Sequence, residues 1–469
     1  MPSSRRLGSA SRVILMGAGC CWLIFGSVAA MAGAPTVAPM RPFPQHVPYV
    51  SNTILPSHRT RPQLDADVAA AWTQWKARHL ATAGMEIDGR PRYRVKSVAS
   101  DGKDCITAVS LCTVSEAQGY GMLLAAFLAG PGEPAAREIF DGLFEFSADH
   151  PSLLSTGRLF DWNVPPDEAP AADPTEDDSA FDGDADIAYA LLLADQQWGS
   201  GGTINYRARA LDVIAAILQF EIGPTSHLPL LGDWIDPLDP VQNEWTPRTS
   251  DFMTGHFRVF GEVTGIAAWA EVRVASLAAA RSLHLGFAPA TGLLPDFTET
   301  TSAIDHTPRP ASPNFLESPS DGDYFFNAGR VPWRLGQDAL LSGDETAWDG
   351  ALAIAYWARG EVQNNPLLLH EGYTLAGLPI DAMSEFNPFF AAPIGVASML
   401  DADLQPWLNA TYDAVRESDN GYYADSVSLL SMVVMTGNWW EPLPVPEPSA
   451  LAQGFVALVA FASLRRAGR

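Results

Sequence analysis

The sequence predicts an all-α fold of the (α/α)6 barrel type, six inner helices ringed by six outer ones, and three observations lead there. About twelve runs place apolar side chains at helical spacing, strand signals are few, and the helical runs are of two kinds, some apolar on every side and others on one face only. A helix that is apolar all round must be buried, and an amphipathic helix can cover it. Two concentric rings satisfy both demands. A helical-repeat solenoid is the rival arrangement, but no fixed period recurs along the chain.

Taken in order, the first run is Leu64 to Leu80, with Trp72 and Trp75 on its apolar face, and the second, more apolar, is Ser115 to Leu128. Further runs cover approximately residues 133–147, 183–198, 204–221, 251–263, 266–283, 333–342, 346–359, 386–400, 403–416 and 424–436. In the run ending at Trp198, Ile187, Ala190, Leu191, Ala194 and Trp198 recur every 3.6 residues, while Leu192 and Leu193 fill the opposite side. That helix belongs to the inner ring. Strand-like alternation is confined to Tyr93–Val98, with room for short pairs near the connecting loops.

Length alone would allow two or three domains, but no Ser/Gly-rich or Pro-rich linker divides the middle of the chain. The expected division is a signal peptide over 1–32, an N-terminal extension over 33–63, one catalytic barrel over 64–440 and a sorting tail over 441–469. Arg5, Arg6 and Arg12, the apolar run Val13 to Val28 and the small-residue site Ala30-Met31-Ala32 form the three-part pattern of a secretory signal. An uncleaved membrane anchor is the alternative, opposed by the shortness of the apolar run and the well-formed Ala-x-Ala site. At the other end, Val445-Pro446-Glu447-Pro448-Ser449, an apolar stretch from Ala450 to Leu464, and Arg465, Arg466 and Arg469 follow one another. This order resembles the PEP-CTERM sorting signal of Gram-negative bacteria, which implies an exosortase-type processing enzyme as a partner, transient membrane association and delivery to the cell surface or extracellular matrix.

The chain carries 29 Lys and Arg against 54 Asp and Glu, and loss of six terminal arginines leaves 23 against 54, a charge of −31 for residues 33–464. That balance argues against nucleic acid and anionic membrane surfaces as partners of this region. Cys105 and Cys112 remain after signal removal and could close a small disulfide loop before Glu116 in an oxidising compartment, or remain as two thiols.

Two acidic clusters carry the candidate chemistry. Glu116 stands in Ser115-Glu116-Ala117-Gln118-Gly119-Tyr120-Gly121-Met122, and Asp182, Asp184 and Asp186 open the helical run from Ala180 to Trp198. Carboxyl groups of different character, each at the start of an apolar helix, suit acid/base cleavage of an acetal bond. A helix N-terminus favours an ionised Asp182 but works against a protonated Glu116, so apolar surroundings and a nearby like charge must outweigh the dipole there. His256 and His370 lack a second ligand at metal-binding spacing, no cofactor motif is present, and the acids of 173–186 lack the glycine and terminal Glu of an EF-hand.

The segments VSEAQGYGM, AFDGDADIAYALLLADQQW, TSDFMTGHFRVF, GRVPWRLGQD and MTGNWW resemble glycoside hydrolase family 8 over about residues 64–440, with Phe181 standing where the family usually has Ser or Thr. The resemblance implies an (α/α)6 barrel and inverting endo-hydrolysis of a β-1,4-linked polysaccharide. A β-glucan is the first expectation; chitosan, mixed-linkage glucan and xylan are the alternatives. By motif, Glu116 corresponds to the proton donor and Asp182 to the carboxylate that binds and distorts the sugar at the cleavage point, with Asp184 the second choice. Where one branch of the family has an acid as base, this chain has Asn327. Another branch takes a Glu from the preceding loop, and of Glu299, Asp305, Glu317, Asp321 and Asp323 the choice is Glu317, with Asp321 or Asp323 in reserve. Tyr120, Trp162, Arg330 and Trp333 are the expected cleft residues, with Arg330 orienting a carboxylate through its planar fork. A surface carbohydrate-binding protein that has lost catalysis is the reading from another class, motivated by Asn327 and the sorting tail.

Overall fold

Each of the twelve α-helices in the computed structural model coincides with one of the runs of helical spacing. The structure describes residues 37–83, 90–97, 112–165, 177–300 and 306–443. Among them the helices are α1 (Arg61–His79), α2 (Ser115–Phe127), α3 (Ala136–Asp149), α4 (Phe181–Trp198), α5 (Tyr206–Phe220), α6 (Thr254–Thr264), α7 (Ala268–Phe287), α8 (Val331–Ser342), α9 (Glu345–Glu361), α10 (Pro388–Ser398), α11 (Gln405–Arg416) and α12 (Gly421–Met435). Strands among the described residues form three short antiparallel pairs: β1 (Leu80–Thr82) with β2 (Tyr93–Val95), β3 (Thr113–Val114) with β4 (Asn163–Val164), and β5 (Thr298–Thr300) with β6 (Pro308–Pro310). The expected signal peptide over 1–32, the part of the expected sorting tail beyond residue 443, and Cys105 lie outside the described residues. Cys112 is disulfide-bonded.

The even-numbered helices form the inner ring. Contacts run from α2 to α4, α6, α8, α10 and α12 and back to α2, so the ring closes. Almost every residue of α2, α4, α10 and α12 is buried, whereas α3 and α11 bury one face only. Each odd helix after α1 packs on the even helix before it, and α1 packs on α12, which is the (α/α)6 barrel expected from the two kinds of periodicity.

Glycine sets the spacing where α2 meets α4. A Cβ at Gly183 would lie 2.7 Å from the backbone carbon of Ser115, and one at Gly119 would lie 2.9 Å from the Asp186 Cβ. The first turns of the two helices therefore approach backbone to backbone, which brings Glu116 and Asp182 to the same end of the barrel. Gly183→Ala should cost about 1–3 kcal/mol, because a backbone atom rather than a flexible side chain must move. Calorimetric melting checks this, and an unchanged Tm would mean that the helices can separate freely.

The opposite end of the barrel is covered by the segment before α1. Backbone N–H groups of Met40, Phe43, Val47, Val50 and Ile54 donate to the carbonyls of Gln197, Ala129, Gly437, Leu340 and Met399, at 2.6 to 3.0 Å. Those acceptors lie at the C-terminal ends of α4, α2, α12, α8 and α10, where the last carbonyls have no partner within the helix. Buried Gln197 clasps the same segment, accepting from Arg41 N at 2.9 Å and donating to Arg41 O at 2.8 Å. Residues 38–57 are thus a strap across the base rather than a loose extension. The N-terminal ends of the inner helices are left to the long loops, and the candidate residues gather there.

Candidate active site

Glu116 lies in the first turn of α2, Asp182 in the first turn of α4, Arg330 immediately before α8, and Tyr423 in the first turn of α12. The guanidinium of Arg330 links them. Its Nη1 is 2.6 Å from Asp182 Oδ2 and 3.3 Å from Glu116 Oε2, and its Nη2 donates to Ser250 Oγ at 2.8 Å and to Asn327 Oδ1 at 3.1 Å. Tyr423 lies beneath it, with the guanidinium carbon 5.8 Å from the ring centre and the hydroxyl donating to Phe326 O at 2.8 Å. A second cation, Arg248, places Nη1 3.0 Å from the same Asp182 oxygen and Nε 3.4 Å from buried Asp251.

The two carboxyls are pushed in opposite directions. Burial dominates at Glu116 and, with Asp182 as a like-charged neighbour, outweighs Arg330, so that its carboxyl is raised to about 7. Its side chain keeps 14% of its surface open, and the enclosed Oε1 has no hydrogen-bond partner, a setting that suits a neutral, protonated carboxyl. Burial alone would also raise Asp182, but Arg248 and Arg330 hold it well below the ordinary carboxylate range. The arrangement therefore presents one protonated and one ionised acid side by side, and the helix dipole is overcome only at the residue without a close, well-aligned cation.

Glu317 approaches the same network from the β6–α8 connection. Its Oε2 accepts from Asn327 Nδ2 at 2.9 Å, so the Asn327 amide stands between Glu317 and Arg330. Glu317 is open to solvent, and the walls around it push its carboxyl upward while Arg248 and the Asn327 amide oppose that. The loop is built to hold it. Buried Asp321 accepts from the N–H groups of Leu316, Glu317 and Ser318 at 2.7, 3.0 and 2.8 Å, which commits its carboxylate to the loop backbone. Asp296 does the same for the turn carrying Asn327, accepting from the N–H groups of Phe325, Asn327 and Ala328. Asp323 is half-buried, and Glu299 pairs with Arg309 at 2.6 Å, both apart from the Arg330 network; Asp305 lies outside the described residues.

Other expected cleft residues fall elsewhere. Trp333 is fully buried, with the Arg334 guanidinium 4.0 Å above its ring and Trp439 and Tyr120 as edge neighbours, so it belongs to the core. Tyr120 is also fully enclosed and supports Arg330 through its hydroxyl, 3.4 Å from Nη1. Asp184 lies two positions after Asp182 and therefore on the far side of α4, where Oδ1 accepts from Phe160 N at 3.0 Å. It has no exposed surface for a sugar. Trp162 is partly open and stands next to the acid, because its carbonyl accepts from Ser115 N at 2.9 Å. Sequence reasoning missed Arg248, Ser250, Asp251, Asp296 and Tyr423. Of these, Ser250 and Asp251 stand in the TSDF phrase already noted, whereas the others carry no local signal. Among the described residues no group of three His, Cys, Asp or Glu side chains is arranged to hold a metal ion.

The family model of the Glycosyl hydrolases family 8 matches residues 62–437. The chain belongs to glycosyl hydrolase family 8. It is a glycoside hydrolase, and the similarity extends over nearly the whole chain. A Beta-glucanase of Niallia circulans is 38% identical over 441 residues, covering 94% of this chain and 100% of that protein. An Endoglucanase of a Bacillus sp. (strain KSM-330) is 32% identical over 406 residues, covering 86% and 83%. The apo structure of a Beta-1,3-1,4-glucanase from Paenibacillus sp.X4 superposes with a TM-score of 0.78 at 40% identity, covering 86% of this chain and 100% of that one. A family 8 xylanase from Teredinibacter turnerae shares the fold at 17% identity, with a TM-score of 0.66 over 82% and 96% of the two chains.

Proposed function

We propose that this family 8 hydrolase is an exported endo-β-glucanase that cleaves its polymer with inversion at the anomeric carbon. Glu116 is the general acid and Glu317 the general base. Asp182 supplies the fixed negative charge at the cleavage point, and Trp162, Asn327 and Arg330 shape and orient the cleft. The observation that carries this reading is the chain Glu116, Arg330, Asn327, Glu317: a buried acid raised to about 7 at one end and a water-accessible carboxylate at the other. Glu116 would protonate the departing glycosidic oxygen while Glu317 takes a proton from water attacking the opposite face of the ring.

A β-glucan as substrate is supported by the names of the relatives at 32–40% identity, all of them glucanases. Export, a catalytic domain spanning 64–440 and sorting to the cell surface through an exosortase-type enzyme are supported by the sequence patterns at the two ends. Reducing-sugar release measured side by side on carboxymethylcellulose, lichenan, xylan and chitosan should be greatest on the two glucans. Proton NMR of the first products should show the α-anomer from a β-linked polymer. A β-anomer at early times would remove Glu317 from its role, and preference for xylan or chitosan would overturn the substrate assignment.

A further inference from the structure

Behind the first turn of α4 lies a second pair of carboxyl groups that catalysis does not use. Asp184 and Glu221, the latter at the end of α5, are both fully buried and in hydrogen-bond contact. Asp184 Oδ1 is taken by Phe160 N–H at 3.0 Å and Glu221 Oε1 by the Ser179 hydroxyl at 2.6 Å. The remaining oxygens, Asp184 Oδ2 and Glu221 Oε2, have no other donor.

The charged groups that face this pair are acidic. Asp233 comes from the α5–α6 loop and Asp251 from the turn before α6. Asp233 accepts from Ser179 N at 2.9 Å, and Asp251 has Arg248 to balance it. Among the described residues no Lys, Arg or His forms an ion pair with Asp184, Glu221 or Asp233. Two buried carboxylates without a cation repel each other, whereas one proton between Oδ2 and Oε2 turns the repulsion into a hydrogen bond and satisfies both atoms.

We infer that Asp184 and Glu221 share one proton and act as a positioning pair, fastening the first turn of α4 to the end of α5 and to the Phe160–Trp162 loop so that Asp182 stays in register with Glu116. This rests on the role proposed above for Asp182. The contacts give it reach: Phe160 leads to Trp162, whose carbonyl holds Ser115 N, and Ser179 directly precedes Ala180 at the start of α4. Burial raises the Asp184 carboxyl well above its usual range and that of Glu221 to about 8. A raised carboxyl means that the folded chain keeps a proton the unfolded chain has already released. The stability this contributes is therefore present below about pH 4.5 and is lost as pH rises through about 8.

Glu221→Gln tests the pair, since its amide can donate to Asp184 Oδ2 while its oxygen still accepts from Ser179. Between pH 6 and 9 the wild-type Tm should fall further than that of Glu221→Gln, by about 2 °C or more. Parallel melting curves would overturn the shared proton. At pH 6, Glu221→Ala should lower kcat on lichenan about tenfold with a smaller change in KM, and Glu221→Gln should restore most of it. Full kcat in Glu221→Ala, or equal loss in both variants, would overturn the positioning role. The melting experiment needs no substrate, so failure of the glucanase assignment would show separately, as absence of turnover by the wild-type chain.

Discussion

Glu116→Gln should reduce kcat on lichenan or carboxymethylcellulose by about 10²–10⁴-fold, which corresponds to about 3–5 kcal/mol of transition-state stabilisation. Gln has nearly the same shape and can still present an oxygen to Arg330 Nη1, which lies 3.3 Å from Oε2 in the native structure, so Tm and KM should change little. What is lost is the proton. An aryl β-cellobioside whose phenol leaves readily as an anion needs little protonation, so its hydrolysis should be far less impaired than that of the polymer. Equal impairment of both substrates would point to a structural defect and remove Glu116 from the acid role. The native pH profile carries the same information. Since the acid must be protonated and its carboxyl lies at about 7, activity should be present below that value and fall as pH rises through it.

Glu317→Gln should be the other severe change, lowering kcat by a similar about 10²–10⁴-fold while the barrel melts at an unchanged temperature. The carboxylate contributes one contact to the fold, its hydrogen bond with Asn327 Nδ2 at 2.9 Å, and a Gln oxygen can replace it. No amide can accept a proton from water. The loop's shape does not depend on the Glu317 carboxylate, because Asp321 holds the backbone of Leu316, Glu317 and Ser318. Asp321→Asn would therefore disturb the loop and the base together, and only the Glu317 variant separates the two effects. Turnover retained in Glu317→Gln would transfer the base role to Asp323.

The helices were legible because burial imposes a period on them. Ile187, Ala190, Leu191 and Ala194 must all be apolar, since α4 is enclosed on every side, and no other element reproduces that spacing. Glu116 and Asp182 were legible because an acid inside an otherwise apolar helix start is unusual. The assignment of faces was less accessible. Asp184 lies two residues beyond Asp182 but points into the wall, and Trp333 lies close to Arg330 in sequence but packs into the core. Neither difference is visible until the helix is rotated into place by its neighbours. Arg248 and Asp296 were missed for another reason. Their partners, Asp182 and the turn at Phe325 to Ala328, are tens of residues away, and nothing in their immediate surroundings distinguishes them from ordinary loop charges.

The strap across the barrel base ties the order of synthesis to the order of assembly. Residues 38–57 leave the ribosome before α1 and every later helix, yet the groups they bond to include Gly437 and Asn438, the latter 393 residues from Gln45. The N–H groups of Gln45, His46 and Val47 must therefore wait for the last helix. A nascent chain that lacks α12 has an unlatched floor, and closing it is a long-range event of the kind that slows folding. Removing the residues up to and including Met40 would begin to undo the same latch from its other end.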